Sequence, residues 1–330
     1  VHVFGVTLKT AGIKTVSASD SVNSINTAFV ITVSAGTATH FGFLAVPASV
    51  TAGSQFGFTL KALDSFNNTV ASYNGTVHFT SSDAQAVVPA NATLTNGSGS
   101  FTATLKTAGT ESLAATDTVN AAITGAATAT VGPAATAEFV MVAPGSTTAG
   151  SSFNFSITAE DSFGNVTPGY AGLVHFDSSD VRAVLPADQS LANGSGTLAA
   201  TLVSVGGQTI AASDSENGVN GLSNSVNVTA ASTTTSLTAS MTTIYFRNRG
   251  TIAATVTVPG SAIAPTGNVV FYDNGKAIAT VPLDSSGTAN WVPDGLRVGK
   301  HSISATYQGD GNFNGSASAG QLAVVVSFVP

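Results

Sequence analysis

Apolar and polar residues alternate over short runs along most of this chain. In residues 55–62, Phe56, Phe58, Leu60 and Ala62 are separated by more polar or smaller neighbours. Successive side chains of a β-strand point to opposite faces, so this period of two predicts a strand with one face in a core and the other in water. The same alternation occurs in residues 153–160, in residues 101–105, and in residues 4–8 through Phe4, Val6 and Leu8.

Turn signals separate these runs. Asn-Gly pairs occur at 96–97, 193–194 and 274–275, and this dipeptide favours the positive φ angles of tight hairpins. No segment combines a 3.6-residue period with helix caps, and a parallel α/β fold would need helices between its strands. About seven short strands per ~100 residues are typical of an immunoglobulin-like sandwich. We therefore predict an all-β chain of tandem immunoglobulin-like β-sandwich domains in an elongated array.

An internal repeat divides the chain. Residues Thr7–Gly12 return as Thr104–Gly109, an offset of 97. The same offset joins 64–66 to 161–163, 77–79 to 174–176, 81–83 to 178–180, and 96–99 to 193–196. Repeats of one supersecondary unit are a strong guide to architecture. The expected units are 1–36, the C-terminal part of an Ig-like repeat; 37–133 and 134–230, two full repeats; and 231–330, an Ig-like domain of a second type.

The two full copies resemble bacterial Ig-like repeats of the Asp-x-x-Gly-Asn type. The residues that carry this resemblance are Ala159–Asn165, then Tyr170–Phe176 with its Tyr-x-Gly-x-Val-x-Phe pattern, then Ser178-Ser179-Asp180. The first copy departs from the pattern at Asn67, which a turn tolerates. The last unit is similar to the group 3 type of bacterial Ig-like domain, through residues 267–275, 283–289, 299–307 and 309–313. These resemblances imply long secreted or surface-anchored bacterial proteins such as adhesins, stalks and fibres.

Composition supports an exported protein and excludes several partners. Charged residues make up only 8% of the 330, against about 25% in ordinary soluble domains. The ten Lys and Arg against 17 Asp and Glu supply no cationic footprint for nucleic acid or an anionic membrane. The chain has no cysteine, which excludes disulfides and thiol chemistry. Its longest apolar run, Leu322–Val326, falls far short of the ~20 residues of a membrane span.

The candidate chemistry is sparse. Alternation places His78 and His175 on outer strand faces of different copies, and no Ser-His-Asp set or Gly-x-Ser-x-Gly elbow accompanies them. The acidic residues Asp64, Asp83 and Asp117 repeat as Asp161, Asp180 and Asp214, in contexts that indicate turns. An alternative is calcium at the junctions through Asp310 or the Asp161/Asn165 turn, although no dense Asp loop is present. We predict no catalytic, cofactor-binding or metal-binding residue, and no cofactor.

Three smaller expectations complete the picture. Trp291 is expected to plug a core or an edge, which disfavours a sugar-stacking platform. Lys61 and Lys106 are expected at outward strand positions, which disfavours an isopeptide bond. Short linkers at 34–36 and 132–134 favour a semi-rigid rod of about 120 Å from the size of compact domains.

The function expected from the sequence is that of a non-catalytic extracellular structural or adhesive protein, a surface stalk or fibre. A narrower version is a self-assembling filament subunit, since residues 1–36 begin within a repeat and leave strand edges to recruit partners. The expected partners are other copies of the chain, neighbouring surface proteins, and host or matrix glycans. The alternative is a spacer or carbohydrate-binding accessory region of a larger secreted enzyme.

Overall fold

A computed structural model describes residues 2–245 and 250–328 of the chain. Every regular element within these ranges is a β-strand, which confirms the predicted all-β class. These ranges accordingly offer no helix that could cross a bilayer. Contacts divide the chain into two compact units, one of Val1–Thr136 with Glu160–Thr167 and one of Ala137–Ala159 with Pro168–Pro330. The domain boundaries expected from the repeat remain a prediction.

Unit 1 holds a hairpin and one sandwich. Its strands are β1 (Gly12–Asp20), β2 (Ile25–Val33), β3 (His40–Leu44), β4 (Ser49–Thr51), β5 (Gln55–Leu63), β6 (Thr76–Ser81), β7 (Ala92–Thr93), β8 (Ser98–Thr104), β9 (Gly109–Asp117) and β10 (Thr124–Gly132). A five-stranded sheet in the order β4-β10-β9-β6-β7 faces a three-stranded sheet β3-β5-β8. All pairs are antiparallel except β4 with β10.

The core of this sandwich comes from the alternating residues. Phe56, Phe58, Leu60 and Ala62 of β5 are all buried, and they meet aromatic and aliphatic side chains from the opposite sheet. The Phe58 ring lies 6.0 Å from that of Phe79, edge to face. Burying such a side chain stabilises a fold by about 1.5–3 kcal/mol, so the alternating strand residues account for most of the packing.

Unit 2 holds most of the second copy and the last unit. The strands of the second copy are β11 (Thr136–Val142), β12 (Ser146–Thr148), β13 (Ser152–Asp161), β14 (His175–Ser178), β15 (Ser195–Thr201), β16 (Gly206–Gln208), β17 (Ile210–Asp214), β18 (Val219–Leu222) and β19 (Val226–Thr229). They form a six-stranded sheet β14-β17-β18-β11-β13-β15 and a three-stranded sheet β12-β19-β16. Phe155, Ile157 and Ala159 of β13 are buried, as their alternation predicts.

The last unit is a separate sandwich with its own strand pairing. Its strands are β20 (Thr234–Ala239), β21 (Thr243–Tyr245), β22 (Ile252–Thr257), β23 (Asn268–Asp273), β24 (Lys276–Pro282), β25 (Thr288–Trp291), β26 (Gly299–Tyr307), β27 (Ser316–Ala317) and β28 (Leu322–Ser327). The sheet β20-β22-β25 faces the sheet β21-β28-β26-β23-β24, with β27 on β26. Trp291 is buried against Phe271 at 5.4 Å between ring centroids, in agreement with the predicted core plug.

The Asn-Gly turns have the predicted geometry. Asn96 and Gly97 adopt φ of 51° and 66°, and the pair that ends at Gly275 adopts 46° and 81°. These are left-handed conformations that Asn and Gly tolerate and that match the twist of a two-residue hairpin. A side-chain carbon at Gly97 would also lie 2.2 Å from the Val70 carbonyl oxygen. Both the positive φ and this close contact therefore require glycine at this position.

Two predictions about individual residues are wrong. Residues 4–8 form no strand, and Phe4 and Val6 are 85% and 62% exposed. Alternation alone does not make a strand, and the equivalent β8 is held by pairing with β5, which has no counterpart within residues 1–36. Lys106 follows β8 in a loop and does not lie on a strand, because the chain turns there towards β9.

The hairpin β1–β2 corrects the repeat offset. Val16 pairs with Phe29, whereas Leu113 at the equivalent position of β9 pairs with Ala127. The offset is therefore 97 in the first strand and 98 in the second, because the connecting turn is one residue shorter. Phe29 consequently stands where Ala127 stands in the full copy, on the same face as Val16.

Candidate functional site

The two repeated histidines do not form a site. His78 lies on β6 and His175 on β14, both exposed, as predicted from alternation. The Nδ1 atom of His78 is 2.8 Å from the side-chain oxygen of Asn91, and that of His175 is 2.9 Å from Asp188. Each histidine thus contacts a side chain of the segment that follows its own strand.

The first pair of repeated carboxylates, Asp64 and Asp161, organises a turn at the end of β5 and of β13. Oδ1 of Asp64 accepts the N–H groups of Phe66 and Asn68, each at 2.9 Å. Oδ2 accepts the N–H of Gly36 at 2.8 Å. The amide of Asn68, the largest influence, and these backbone donors lower the pKa of Asp64 well below its ordinary range.

Asp161 repeats this arrangement within unit 1. Its Oδ1 accepts the N–H groups of Phe163 and Asn165, each at 2.9 Å, and its Oδ2 accepts the N–H of Ala134 at 2.8 Å. Burial opposes ionisation of Asp161, yet the Asn165 amide and the backbone donors outweigh it and lower the pKa. The residue is fully buried, so its charge depends on those donors.

The second pair of carboxylates holds the loops that follow β8 and β15. Oδ2 of Asp180 accepts the N–H groups of Val203 and Ser204 at 2.5 and 2.9 Å. Oδ1 accepts the Ser204 hydroxyl at 2.6 Å and the N–H of Arg182 at 3.0 Å. Burial is the largest influence and raises the pKa of Asp180, but these four donors together lower it. Asp83 makes the equivalent bonds in the first copy, to Lys106, Thr107 and Gln85.

The third pair of carboxylates accepts a tyrosine hydroxyl. Tyr170 donates to Oδ2 of Asp214 at 2.5 Å, and Tyr73 donates to Asp117 in the same way. Burial first, and then the carboxylate partner, raise the pKa of Tyr170, so the phenol keeps its proton. A side-chain carbon at Gly172 would lie 2.0 Å from that Asp214 oxygen. This contact explains the glycine of the Tyr-x-Gly pattern, because the pair crosses directly over its backbone.

The last unit uses the same chemistry at Asp310. Its Oδ1 accepts the N–H groups of Asn312 and Phe313, each at 3.0 Å. Its Oδ2 accepts the hydroxyl and the N–H of Thr266, at 2.6 and 3.0 Å. Asp310 is therefore another turn organiser, in the segment that also suggested calcium.

These acidic residues are engaged by donors of the protein itself. Among the described residues no group of three or more His, Asp or Glu has the arrangement of a metal site. No buried side-chain nitrogen or oxygen in the described ranges lacks a hydrogen-bond partner. A carboxylate that accepts three or four N–H and O–H bonds has few lone pairs left for a cation or a substrate. The chemistry of this set is the fixing of turns and loops.

Sequence reasoning identified the repeated aspartates as turn residues but not their burial or their partners. All six are buried, from fully inaccessible Asp161 to 7% exposed Asp117. The signal available was the Tyr-x-Gly pattern, which repeats together with Asp117 and Asp214. A tyrosine and an aspartate that recur 44 residues apart in both copies indicate a long-range side-chain pair.

The match to a protein family agrees with this all-β architecture. The family "Bacterial Ig-like domain (group 3)" matches residues 237–327. A search of curated proteins found no match. Among solved structures, the Escherichia coli adhesin FdeC is 16% identical with a TM-score of 0.41, over 89% of this chain and 99% of that chain. Yersinia pseudotuberculosis InvD is 16% identical with a TM-score of 0.35, over 88% and 98%.

A third similar structure is invasin, described as a bacterial integrin-binding protein. It is 16% identical with a TM-score of 0.34, over 88% of this chain and 60% of that chain. Such low identities carry no information about function. The chain is a tandem array of Ig-like β-sandwiches, and residues 237–327 match the bacterial Ig-like domain of group 3.

Proposed function

We propose that this chain is a non-catalytic structural or adhesive part of a bacterial extracellular or cell-surface protein. The observation that supports it best is the use of the acidic residues. Asp64, Asp83 and Asp117 and their counterparts all accept backbone or tyrosine hydrogen bonds, in a set that is duplicated from copy to copy. Duplication suits a scaffold, since each copy needs its own turns fixed, whereas an enzyme needs one site.

The low charge of the surface supports the same role. With charged residues at 8%, Ser, Thr and Asn supply much of the polar exposed surface. Association with another surface then removes few charges from water, which is the costly part of burying polar surface. Such a surface suits close packing against neighbouring surface proteins or glycans.

Adhesion is tested by displaying the whole chain on bacterial cells that adhere poorly. We expect a severalfold rise in attachment to epithelial cells or to immobilised glycans, relative to cells that display an unrelated β-sandwich at equal density. Equal attachment of the two strains to every surface would contradict an adhesive role and leave a purely structural one.

A second candidate, a self-assembling subunit, is supported by the hairpin β1–β2. Phe29 and Ile31 share the face of Val16, and they are 67% and 49% exposed. In the first full copy the equivalent face is in the core, where Leu113 and Ala129 are each 3% exposed. The hairpin therefore presents a core-type face and unpaired edges, which recruit complementary strands.

Assembly is tested by sedimentation velocity and negative-stain electron microscopy of the purified chain. We expect fibres or concentration-dependent oligomers that are lost when Phe29 and Ile31 are both replaced by serine. The matched control is Val119→Ser, which changes a residue that is 93% exposed outside the hairpin and should leave assembly intact. A chain that stays monomeric at every concentration would refute the subunit hypothesis without affecting the adhesive one.

A further inference from the structure

Three asparagines contact loops that lie far back along the chain. Each accepts a hydrogen bond from one backbone N–H, and the three donors are spaced by 97 residues, so they are the same position in successive copies. The hydrogen bonds join Ala11 N–H to Asn68 Oδ1 at 2.8 Å, Ala108 N–H to Asn165 Oδ1 at 2.7 Å, and Val205 N–H to Asn312 Oδ1 at 2.9 Å. We call 64–68, 161–165 and 310–313 the clasp turns, and 9–11, 106–108 and 203–205 the clasp loops.

The first two asparagines use both ends of the amide. Nδ2 of Asn68 donates to the carbonyl of Lys9 at 2.8 Å, and Nδ2 of Asn165 donates to that of Lys106 at 2.7 Å. The same nitrogen of Asn68 also lies 2.9 Å from Oδ2 of Asp64, which fixes the amide orientation. An amide held in this way matches a loop that offers one N–H and one C=O side by side.

A cation lies over an aromatic ring of each clasp turn. Lys9 Nζ is 5.5 Å from the centre of the Phe66 ring, and Lys106 Nζ is 5.7 Å from that of Phe163. Such a contact contributes about 0.5–1 kcal/mol at an exposed site. The second copy has a buried Val203 at the position of Lys106 and would lose it.

The second copy supplies the charge from another position. Arg182 stands where the first copy has Gln85, and its guanidinium carbon is 5.9 Å from the centre of the Phe313 ring. The cation has therefore changed its place in the copy but keeps its position over a ring of the clasp turn. Compared with the first copy, the second copy has valine in place of the clasp-loop lysine and arginine in place of Gln85, so it keeps one cation near the ring.

A glycine in each full copy allows a close approach at the same place. A side-chain carbon at Gly53 would lie 2.5 Å from the Phe163 ring. One at Gly150, the equivalent position, would lie 2.5 Å from the Ser261 hydroxyl of the last unit. Both glycines have φ of 78°, so a larger residue is disfavoured for two reasons.

We propose that the clasp turn is a docking element by which one Ig-like copy recognises the clasp loop of the copy before it. The partner it fits is a loop that presents a backbone N–H beside an adjacent cation. Residues 310–313 belong to an Ig-like domain of a different type and reach the same backbone position with a different spacing, Asp-x-Asn in place of Asp-x-x-x-Asn. The element is thus independent of the domain type and of any adhesive role of the chain.

Amide hydrogen exchange of the full chain, resolved at single residues, tests the proposal. In Asn312→Ala we expect the Val205 amide to exchange about fivefold to tenfold faster, the effect of one hydrogen bond. Asn312→Asp keeps the accepting oxygen and should retain the protection. In contrast, Asn68→Asp should lose protection at Ala11, because it removes the Nδ2 donor and sets a second carboxylate against Asp64.

The control is Asn74→Ala, which changes an exposed asparagine that makes only a 3.4 Å bond to Ser72. It should leave the amides of Ala11, Ala108 and Val205 unchanged. Equal exchange at Val205 in the wild-type and Asn312→Ala chains would overturn the proposal, as would equal loss in Asn312→Ala and Asn312→Asp. The latter result would mean that an accepting oxygen at position 312 does not protect the Val205 amide.

The role of the cation is tested by a separate pair of variants. Arg182→Gln installs the residue of the first copy and should raise exchange in residues 203–205, whereas Arg182→Lys keeps the charge and should restore most of the protection. Equal amide exchange in the Arg182→Gln and Arg182→Lys chains would show that the cation is not part of the docking element.

Discussion

At the scale of single residues, the buried aspartates act as fixed acceptors for backbone donors. A loop of N–H groups has no strand to pair with, and a carboxylate satisfies several of them at once. Asp180 does this for residues 203–204 and is itself 3% exposed. Removal of the Asp180 side chain would leave those N–H groups without an acceptor and would create a cavity.

We therefore expect Asp180→Ala to destabilise the second copy by about 2–4 kcal/mol, the cost of several unmade charge-assisted hydrogen bonds. Differential scanning calorimetry would show this as a lower midpoint for one transition. The matched control is Asp177→Ala in the same copy, an exposed aspartate whose loss should cost little. Equal midpoints for the two variants would contradict the assigned role of Asp180.

The glycine beside each tyrosine–aspartate pair gives a second prediction. Gly172→Ala places a carbon 2.0 Å from Asp214 and 2.4 Å from the Tyr170 hydroxyl, so the pair must separate. We expect a loss of about 2–3 kcal/mol, typical of overpacking together with a broken buried hydrogen bond. Gly169→Ala, which meets nothing within 4 Å, is the control, and its midpoint in calorimetry should match that of the wild type.

At the scale of elements, alternation was a sound guide wherever a partner strand exists. It identified β5, β8 and β13 with the correct inward faces, because burial of every second side chain is what stabilises those strands. It failed for Phe4, Val6 and Leu8, since a period of two describes a face and not the strand that pairs beside it. It also missed the one-residue change of offset in β2, because turn length is set by backbone geometry that composition does not report.

The candidate site shows the same division. The contexts of the repeated aspartates predict turns, and turns were found. Their partners could not be predicted, because Asp180 contacts residues 203–204 and Asp161 contacts Ala134, which are distant in the chain. The asparagine contacts were missed for the same reason: they join segments 57 to 107 residues apart.

The hairpin β1–β2 should exchange its amide hydrogens much faster than its counterpart β9–β10. The counterpart is flanked by β4 and β6 and covered by the opposing sheet, whereas β1 and β2 form a sheet of two strands. Isolated two-stranded sheets are marginally stable in water. We expect exchange in 12–33 to exceed that in 109–131 by about a hundredfold or more in dilute monomer. Equal protection in the monomer would show that the hairpin is held by contacts other than pairing.

At the scale of the whole molecule, the aspartates link stability to pH. The pKa values of Asp64, Asp83, Asp161 and Asp180 are all lowered from the ordinary value of 3.8 in the folded chain. A carboxyl whose pKa is lower when folded stabilises the fold fully above its unfolded pKa. That stabilisation disappears as the pH falls from 3.8 through the lower folded values.

We therefore expect the calorimetric midpoints to be nearly constant from about pH 7 to 5 and to fall steeply below about pH 4. Replacement of both Asp83 and Asp180 by asparagine should lower the midpoints at neutral pH and flatten the fall in acid. A double variant with the acid dependence of the wild type would show that other groups control it. Sodium chloride should change the curve little, since the aspartates bond to neutral donors.

Each full copy carries a clasp turn in its first third and a clasp loop in its last third, and this arrangement bears on how such a gene can change. Recombination between two copies of the repeated coding segment removes or adds a whole period. The protein that results still has a clasp loop before every clasp turn. The contact that we propose between successive copies is therefore kept whatever the number of copies. The chain can therefore be lengthened or shortened during evolution by one repeat at a time, and no new contact between copies has to evolve first.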